Sequence, residues 1–395
     1  MRLSERMQRL GQETAFEVLV RARALEAQGR SIVHLEVGEP DFDTPANIRE
    51  AAKAALDRGA THYTAGAGIP ELRMAIATDV WARKGITVSP DRVVVVPGGK
   101  PIMFFTILAL VDPGDEVIYP DPGFPIYESM INYIGGKAVP CPIRQENGFR
   151  LDPDELTSLV TPRTRLVILN SPGNPTGGVS TRADLEKIAA VACEHDFTIL
   201  ADEIYGRILY EGEHVSIASL PDMAERTIIL DGFSKTYAMT GWRLGYAVLP
   251  EQLVPHFTKL ISNSVSCTNA ATQWAGVEAL TGPQAAVDGM VTEFKARRDL
   301  IVDGLNDIPG VRCLRPSGAF YVFPDISGTG FTGAELADKL MYEAGVAVMA
   351  GTAFGQVGKY HLRFSYANSR ENISEALRRT RSLIESLGVK AGAAR

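Results

Sequence analysis

The sequence predicts an α/β fold with a mostly parallel, mixed sheet, and two features of the chain support this. Through its middle, short apolar runs alternate with helical stretches, as in repeated strand–helix–strand units. The runs are apolar throughout, which is typical of strands buried on both faces. The predicted strands, each followed closely by a proline or an acidic residue, are 92–96, 116–119, 166–169, 197–201, 227–230 and 244–249.

Helices are predicted both within this central region and outside it. From Thr181 to His195, apolar residues recur on one helical face, and Ser180 or Thr181 can cap the start. Amphipathic stretches at 14–29 and 284–306 predict two more helices. Short strands are predicted at 32–35, 319–323 and 360–366.

Two domains are expected. The 395 residues exceed one typical domain of roughly 150 residues, and the strand-rich centre differs from both ends. We place a large domain at 46–283. A smaller α+β domain would combine the N-terminal arm, 1–45, with 284–395.

Composition excludes several classes of protein. The chain is 45% hydrophobic and 22% charged, as in globular proteins, and its net charge of −7 argues against a nucleic-acid partner. The apolar run at 102–111 is far shorter than the ~20 residues that cross a bilayer, so no membrane partner is expected. The N-terminus carries no apolar signal core, and the four cysteines are scattered. We therefore expect a cytoplasmic protein without a metal site.

Lys235 is the first candidate for a chemical role. It follows a predicted buried strand and a turn, small and aromatic residues surround it, and no acidic residue stands beside it. Most lysines are ordinary surface residues. A desolvated lysine, however, loses its proton more readily and can form a Schiff base with a carbonyl compound, including pyridoxal phosphate.

The run SKTYAMTGWRLG at 234–245 resembles the cofactor-lysine segment of class I aminotransferases. These are fold type I pyridoxal-phosphate-dependent transferases, related to aspartate aminotransferase. The resemblance covers roughly residues 10–385 and involves several motifs together. It implies that Lys235 carries pyridoxal 5'-phosphate, that Ser234 contacts this cofactor, and that the enzyme is a homodimer with shared active sites.

Two motifs at strand ends are similar to those that hold the cofactor ring in this family. In NSPGNPTG at 170–177, which is also rich in turn formers, the resemblance assigns Asn174 to the ring oxygen and the substrate carboxylate. In ADEIY at 201–205, it assigns Asp202 to the ring nitrogen and Tyr205 to the ring oxygen. A carboxylate favours the protonated nitrogen, which withdraws electrons from the substrate Cα. Asp202 could otherwise serve as a helix cap.

Phosphate binding is expected where a strand turns into an apolar helix. The segment PGGKP at 97–101 places Gly98, Gly99 and Lys100 there. An ordinary strand–helix turn without a binding role could have the same sequence. Arg243 supplies a cation capable of bidentate contacts. Tyr63 resembles the family tyrosine that reaches the phosphate of the neighbouring subunit. Where the family often has a serine three residues before the lysine, this chain has Gly232, so one hydroxyl contact is missing.

Three further residues are assigned by the resemblance. Phe124 is similar to the aromatic residue that stacks on the cofactor ring, although a packing role is also open. Arg363, between Leu362 and Phe364, is similar to the arginine that grips the α-carboxylate of the substrate. Gly38 matches the glycine beside the same carboxylate.

The identity of the donor amino acid stays open. Enzymes of the animal and enteric aspartate type have a second arginine for the distal carboxylate, but the corresponding stretch at 262–269 has none. Either Lys100 or Lys259 serves as that cation, or the substrate is not dicarboxylic. Aspartate with 2-oxoglutarate, alanine, aromatic and other donors are all retained.

The expected reaction is a ping-pong transfer of the α-amino group of an L-amino acid to a 2-oxo acid, with Lys235 as the general base and acid. A β-lyase or racemase on the same fold is the nearest alternative. A nicotinamide dehydrogenase is disfavoured because the segment 66–71 lacks the third glycine of GxGxxG and follows no clear strand. A non-catalytic regulator would need an added DNA-binding module, for which there is no room ahead of Thr14.

Overall fold

A seven-stranded sheet lies at the centre of this computed structural model, which describes residues 1–11 and 14–389. The predicted end of the smaller domain, at 390–395, falls outside the described residues. The strands, in chain order, are β1 (Val33–His34), β2 (Val93–Val96), β3 (Glu116–Asp121), β4 (Lys137–Pro142), β5 (Thr164–Asn170), β6 (Thr198–Asp202), β7 (Thr227–Gly232), β8 (Gly245–Val248), β9 (Tyr321–Val322), β10 (Val346–Ala347), β11 (Met349–Ala350) and β12 (Leu362–Ser365).

Helices flank the sheet and form much of both ends of the chain. In chain order they are α1 (Thr14–Glu26), α2 (Ala46–Asp57), α3 (Pro70–Lys84), α4 (Lys100–Leu110), α5 (Ile126–Ile134), α6 (Pro153–Leu159), α7 (Arg182–His195), α8 (Val254–Ser264), α9 (Ala270–Thr281), α10 (Ala285–Asn306), α11 (Gly333–Lys339) and α12 (Arg370–Ser386). A single π-helical turn, Leu340–Ala344, continues α11.

The sheet order is β2-β8-β7-β6-β5-β3-β4, and β8 runs antiparallel to both of its neighbours. The other neighbouring pairs are parallel. This confirms the predicted α/β class with a mostly parallel, mixed sheet.

Both faces of the sheet are covered, which explains the unbroken apolar runs. In β2, Val94 and Val96 pack with α4, α5 and α8, whereas Val93 and Val95 pack with α3 and α9 on the other face. Towards β4, helices α6 and α7 cover this second face. The predicted helix at 181–195 begins at Arg182, and Thr181 caps it by accepting a hydrogen bond from the Asp184 backbone N–H at 3.1 Å.

The two ends of the chain pack against each other. Strand β1 pairs in parallel with β10, and Ala22 and Leu25 of α1 share a small apolar cluster with Met341. A separate antiparallel sheet of order β11-β12-β9 brings Arg363 towards the central sheet. The domain limits at 45/46 and 283/284 stay a prediction.

Neither a membrane span nor a metal centre is found in the part of the chain that the structure describes. No helix there is both long and apolar enough to cross a bilayer. No group of three or more histidine, cysteine, aspartate or glutamate side chains there is arranged to hold a metal ion.

Candidate active site

A cavity of about 520 Å³ opens at the carboxyl end of the central sheet, where β5, β6 and β7 end. The N-terminal arm and β12 close its other side. Except for Gly98 and Tyr63, all predicted site residues line it: Gly38, Gly99, Lys100, Phe124, Asn174, Asp202, Tyr205, Ser234, Lys235, Arg243 and Arg363.

Asp202 is the last residue of β6 and lies at the floor of the cavity, 7% exposed. Its carboxylate accepts hydrogen bonds from the Tyr127 hydroxyl at 2.6 Å and from the Ile204 backbone N–H at 3.2 Å. Burial disfavours the charged form and raises the pKa of Asp202 to about 6, although both hydrogen bonds oppose this. A cation against this carboxylate would therefore be stabilised strongly.

Asn170 and Asn174 organise the loop that follows β5. Asn170 pairs with Asp202 across the sheet, and its amide donates to the Asp202 carbonyl at 3.1 Å. Its side-chain oxygen accepts the Asn174 backbone N–H at 2.8 Å. The loop is thereby fixed to the strand end that carries the carboxylate, and the Asn174 amide lines the cavity.

Lys235 lies three residues beyond β7 and is half-buried. Its Nζ donates to the Gly38 carbonyl at 2.6 Å and lies 5.9 Å from the centre of the Phe320 ring. The amine therefore projects from the large sheet towards the N-terminal arm. Because Gly38 has no side chain, the Tyr321 hydroxyl can lie against its backbone, where a Cβ would overlap it.

Tyr205 and Tyr321 form a buried pair, with 2.8 Å between their hydroxyl oxygens. Burial, together with Tyr321, raises the pKa of Tyr205 well above its ordinary value, so the hydroxyl keeps its proton at neutral pH. Tyr205 can therefore donate a hydrogen bond to an oxygen placed in the cavity.

A cradle for an anion is formed where β2 meets α4. Helix α4 begins at Lys100 behind Gly99, so its N-terminus faces the cavity. Gly98 has a φ of 83°, and a Cβ there would overlap the guanidinium of Arg243. Gly98 thus lies behind the cavity lining, where it lets Arg243 approach the helix N-terminus. Arg243 itself has a φ of 54°, an unusual backbone for a non-glycine residue, and donates to the Thr240 carbonyl at 2.9 Å.

Arg363 projects from β12 into the cavity, while Leu362 and Phe364 pack into the apolar core. Its guanidinium donates to the Asn174 side-chain oxygen at 3.2 Å and to the Glu36 carbonyl. It also stacks between aromatic rings, 4.7 Å from the centre of Tyr321 and 4.8 Å from that of Phe354. These contacts hold its plane in one orientation, which suits bidentate binding of a carboxylate.

Three other predicted residues differ in their surroundings. Lys100 lies in the cavity with its Nζ 5.5 Å from the centre of the Phe124 ring. Lys259 borders a different cavity of its own chain, beside Leu108 and His256, and its role as a cation of the site stays a prediction. Tyr63 is 87% exposed and does not line the cavity of its own chain.

Sequence reasoning missed several residues of the cavity. Tyr127, buried on α5, holds Asp202, and Tyr321 on β9 contacts Gly38, Tyr205 and Arg363. Tyr321 carried a usable signal, because it is a polar-tipped residue in the predicted apolar strand 319–323. For Tyr127 the sequence carried no such signal, except that it stands three residues after Phe124.

These surroundings fit pyridoxal phosphate. A phosphate would lie at the N-terminus of α4 against Arg243, a protonated ring nitrogen would meet Asp202, and a ring oxygen would meet Tyr205 and Asn174. The aldehyde carbon would then face Lys235. Both the Arg243 guanidinium that Gly98 admits beside the N-terminus of α4 and the desolvated carboxylate of Asp202 support this arrangement.

An α/β fold in which a lysine and a buried carboxylate line one cavity is typical of enzymes that bind a carbonyl cofactor through a lysine. Residues 30–379 match the family model for aminotransferase class I and II. The chain belongs to this family and is a pyridoxal-phosphate-dependent aminotransferase.

Relatives with assigned names are similar over nearly the whole chain. The aspartate/prephenate aminotransferase of Thermus thermophilus is 42% identical, over 95% of this chain and 97% of its own. The aromatic-amino-acid aminotransferase 2 of Thermococcus litoralis is 40% identical, over 98% and 99%. The arginine–pyruvate transaminase of Pseudomonas aeruginosa is 41% identical, over 96% and 97%.

Solved structures agree in fold. The aspartate aminotransferase of Thermus thermophilus, determined with maleate, superposes with a TM-score of 0.93 at 41% identity, over 97% of this chain and all of that one. The aspartate aminotransferase of Rhizobium meliloti gives 0.94 at 37% identity, over 98% and 99%.

Asp202→Asn is expected to stabilise the cofactor-free protein, and more so at pH 8 than at pH 5. The pKa of about 6 in the folded state exceeds the ordinary 3.8, so the native protein holds this proton more tightly than the unfolded chain does. Ionised Asp202 therefore lowers the free energy of unfolding, by nothing below pH ~4 and by an amount that grows up to pH ~6. Above pH ~6 the full loss is on the order of 3 kcal/mol. Urea unfolding at both pH values measures it.

The matched control is Asp91→Asn, since the Asp91 side chain is 90% exposed. This variant should change the free energy of unfolding little at either pH. An equal effect of Asp202→Asn at pH 5 and pH 8 would contradict the raised pKa.

Proposed function

We propose that the protein is a homodimeric aminotransferase that moves the α-amino group of an L-amino acid to a 2-oxo acid in two half-reactions at one site. The observation that carries this is the convergence of three groups on one cavity: the Lys235 amine, the Asp202 carboxylate and the Arg363 guanidinium. They come from separate segments of the chain, so the fold itself assembles them. A β-lyase or racemase is not favoured, because the relatives above are named as aminotransferases.

Bound pyridoxal phosphate supplies an aldehyde that takes up the substrate nitrogen and a ring that accepts electrons from Cα. Arg363 holds the α-carboxylate of the substrate in two parallel hydrogen bonds, and this orients the Cα–H bond towards Lys235. The Lys235 amine would take the Cα proton and deliver it to the former aldehyde carbon of the cofactor, on the other side of the substrate nitrogen. Asp202 keeps the proton on the ring nitrogen through its carboxylate, and Tyr205 donates to the ring oxygen.

The choice of amino donor depends on cavity residues that contact the substrate side chain, and not on the residues that act on every amino acid. We assign Lys100 to an acidic side chain, since it lines the cavity of its own chain, whereas Lys259 borders another cavity and could contribute only from the partner subunit. Aspartate with 2-oxoglutarate is therefore the first pair to test. The names of the relatives also include aromatic amino acids and arginine, and Phe124 and Phe16 offer apolar surface in the same cavity.

The dimer is proposed from Tyr63. Its side chain is exposed on the chain alone, and the segment that carries it packs on the junction of α8 and α9, where the Thr64 backbone N–H donates to Cys267 Sγ at 3.4 Å. In a shared site, Tyr63 of each subunit reaches the phosphate held by Arg243 of the other. The cytoplasmic location expected from the sequence stays a prediction.

Lys235→Ala should abolish the visible absorbance of the cofactor–lysine adduct and reduce transamination by on the order of a thousandfold, because both the covalent anchor and the proton carrier are lost. Absorbance spectra and keto-acid formation from aspartate measure the two effects. Lys259→Ala, which removes an exposed lysine outside the cavity, is the control and should behave like the parent enzyme. Normal turnover by the Lys235 variant would reject the assignment.

A panel of amino donors with 2-oxoglutarate distinguishes the role of Arg363 from that of Lys100. Arg363→Gln should raise the KM of every donor by on the order of 10- to 100-fold, since all share the α-carboxylate. Lys100→Met should raise KM for aspartate and glutamate alone. If Lys100→Met affects alanine and phenylalanine equally, Lys100 does not read the side chain.

Mixing two inactive variants tests the shared site. Tyr63→Leu and Lys235→Ala each damage both sites of their own homodimer. In a mixed dimer, however, one site receives an intact Lys235 and an intact Tyr63. After unfolding and refolding a 1:1 mixture, we expect up to about a quarter of the parental activity. Activity no greater than the mean of the two variants would exclude a shared site.

A further inference from the structure

A buried group of charged side chains lies directly behind the candidate active site, on the other face of the sheet. Asp202 and Leu230 line the active-site cavity, while the residues that follow them, Glu203 and Asp231, lie on the opposite face. A second cavity of about 540 Å³ opens there. We define the back cluster as Lys84, Glu203, His214, Asp231 and Tyr246.

Lys84 is the centre of this cluster. It is the last residue of α3, and its side chain is 5% exposed. Its Nζ donates to Glu203 and, at 3.0 Å, to Asp231 Oδ2. One ammonium group therefore joins the end of β6 to the end of β7.

Each of the two carboxylates also has polar neighbours on other segments. Glu203 accepts from the Ser216 hydroxyl at 2.6 Å and lies 3.1 Å from His214 Nε2. Asp231 accepts from the Gly232 backbone N–H at 2.7 Å and from the Tyr246 hydroxyl at 3.2 Å. Displacement of either carboxylate would therefore disturb several contacts at the strand end that carries it.

One ammonium group faces two carboxylates in this cluster, so its charge is only partly balanced. Burial raises the pKa of Asp231, although Lys84 opposes this. Burial disfavours the ammonium form of Lys84, but Asp231 and Glu203 outweigh it and raise the pKa of Lys84 above its ordinary value. Burial likewise opposes ionisation of Glu203, but Lys84 and then His214 hold its pKa at about 2. Lys84 is thus a cation that keeps two buried carboxylates together.

Hydrogen bonds of the backbone and of one side-chain pair also connect these two turns. The last backbone hydrogen bond between them runs from the Glu203 N–H to the Leu230 carbonyl at 2.9 Å. Beyond it, the turn after β6 carries Tyr205 and the turn after β7 carries Lys235. Further along, Arg207 donates to the Tyr237 hydroxyl at 3.1 Å.

We propose that Lys84 is a positioning residue for transamination, because it ties the turn that carries Asp202 and Tyr205 to the turn that carries Lys235. It touches neither substrate nor cofactor. Its contacts fix the separation between the carboxylate at the ring nitrogen and the amine that carries the Cα proton. The inference rests on the proposed function.

Lys84→Met in the holoenzyme is the test. Two uncompensated carboxylates would repel each other and separate the turns, so kcat should fall by about 10-fold or more, since small displacements of catalytic groups are costly. The KM of the amino donor should stay within about threefold, because Arg363 binds it from β12. The pH midpoint of the visible cofactor band should rise by about half a unit, because a nearby cation is lost.

Other ionisable groups face this region, and none of them is changed in the test variant. On the back face they are Glu203, Asp231, His214, Tyr246, Tyr237, Arg207, Glu213 and Asp288, on α3 they are Asp79 and Arg83, and on the cavity side they are Asp202 and Tyr127.

Lys137→Met is the control for loss of a lysine–carboxylate pair elsewhere in the sheet. Lys137 lies 3.0 Å from the buried carboxylate of Glu116, at the start of β3 and β4 and far along the strands from the cavity. Its side chain is 62% exposed and Arg163 also pairs with Glu116, so we expect kcat and the pH midpoint to stay at the parental values. A purely structural role for Lys84 would give the same pattern in Lys84→Met, and this outcome would overturn the proposal.

A double variant distinguishes the link that Lys84 makes between the two turns from the effect of its positive charge. Lys84→Met with Glu203→Gln restores the net charge of the back cluster but not the connection. The pH midpoint should return towards that of the parent, whereas kcat should stay low. Recovery of kcat would show that Lys84 acts through charge alone, which contradicts the tie.

Glu203→Gln and Asp231→Asn complete the test if Lys84→Met does not fold, since each weakens one arm of the connection. Both should lower kcat, and parental kcat in both would overturn the proposal. A parent enzyme inactive with every donor would instead show that the proposed function is wrong. An active parent matched by Lys84→Met would reject the tie alone.

Discussion

Burial of charge at the carboxyl edge of the central sheet is the constraint on which the rest of the site depends. The central residues of the strands leading to this edge are buried and apolar, and polar side chains stand where β5 and β6 end, at Asn170 and Asp202. A buried carboxylate is stable only when hydrogen-bonded or paired. Tyr127 and the Ile204 N–H supply the bonds, yet the pKa of Asp202 is still raised to about 6. The site is therefore prepared for a cationic partner, which a protonated ring nitrogen would be.

Close backbone approach is the second requirement of the site, and it explains where small residues stand. Gly98 leaves the space that the Arg243 guanidinium occupies, and Gly38 leaves the space next to the Tyr321 hydroxyl. Larger side chains would separate the N-terminal arm from Lys235 or Arg243 from α4. Both glycines thus act through the volume that they leave open, and a site assembled from distant segments needs such positions.

Local patterns in the sequence were enough to predict much of the fold. The apolar strands, the helix capped by Thr181 and the α/β class depend on periodicity and turn residues, which neighbours in the chain determine. The motifs at 170–177, 201–205 and 234–245 lie at strand ends, so their convergence follows from the topology. Their roles stay predictions.

Long-range contacts were not predictable in this way. Tyr321 meets Gly38 and Tyr205 only because β9 folds back onto the large sheet, and Lys84 meets Glu203 across 119 positions of the chain. A lysine at the end of a helix is usually exposed and favours the helix dipole. Its burial between two carboxylates depends on where α3 ends against β6 and β7, which no local pattern encodes.

The two faces of the sheet edge differ in what they can tolerate. On the cavity face, burial raises the pKa of Asp202, whereas on the back face one cation, Lys84, lies between Glu203 and Asp231. Because Asp202 and Glu203 are adjacent in the backbone, the contact between Lys84 and Glu203 limits how far Asp202 can move. The proposed reaction at the carboxyl end of the sheet requires a rigid back face, since a shift of the end of β6 or β7 would move Asp202 relative to Lys235.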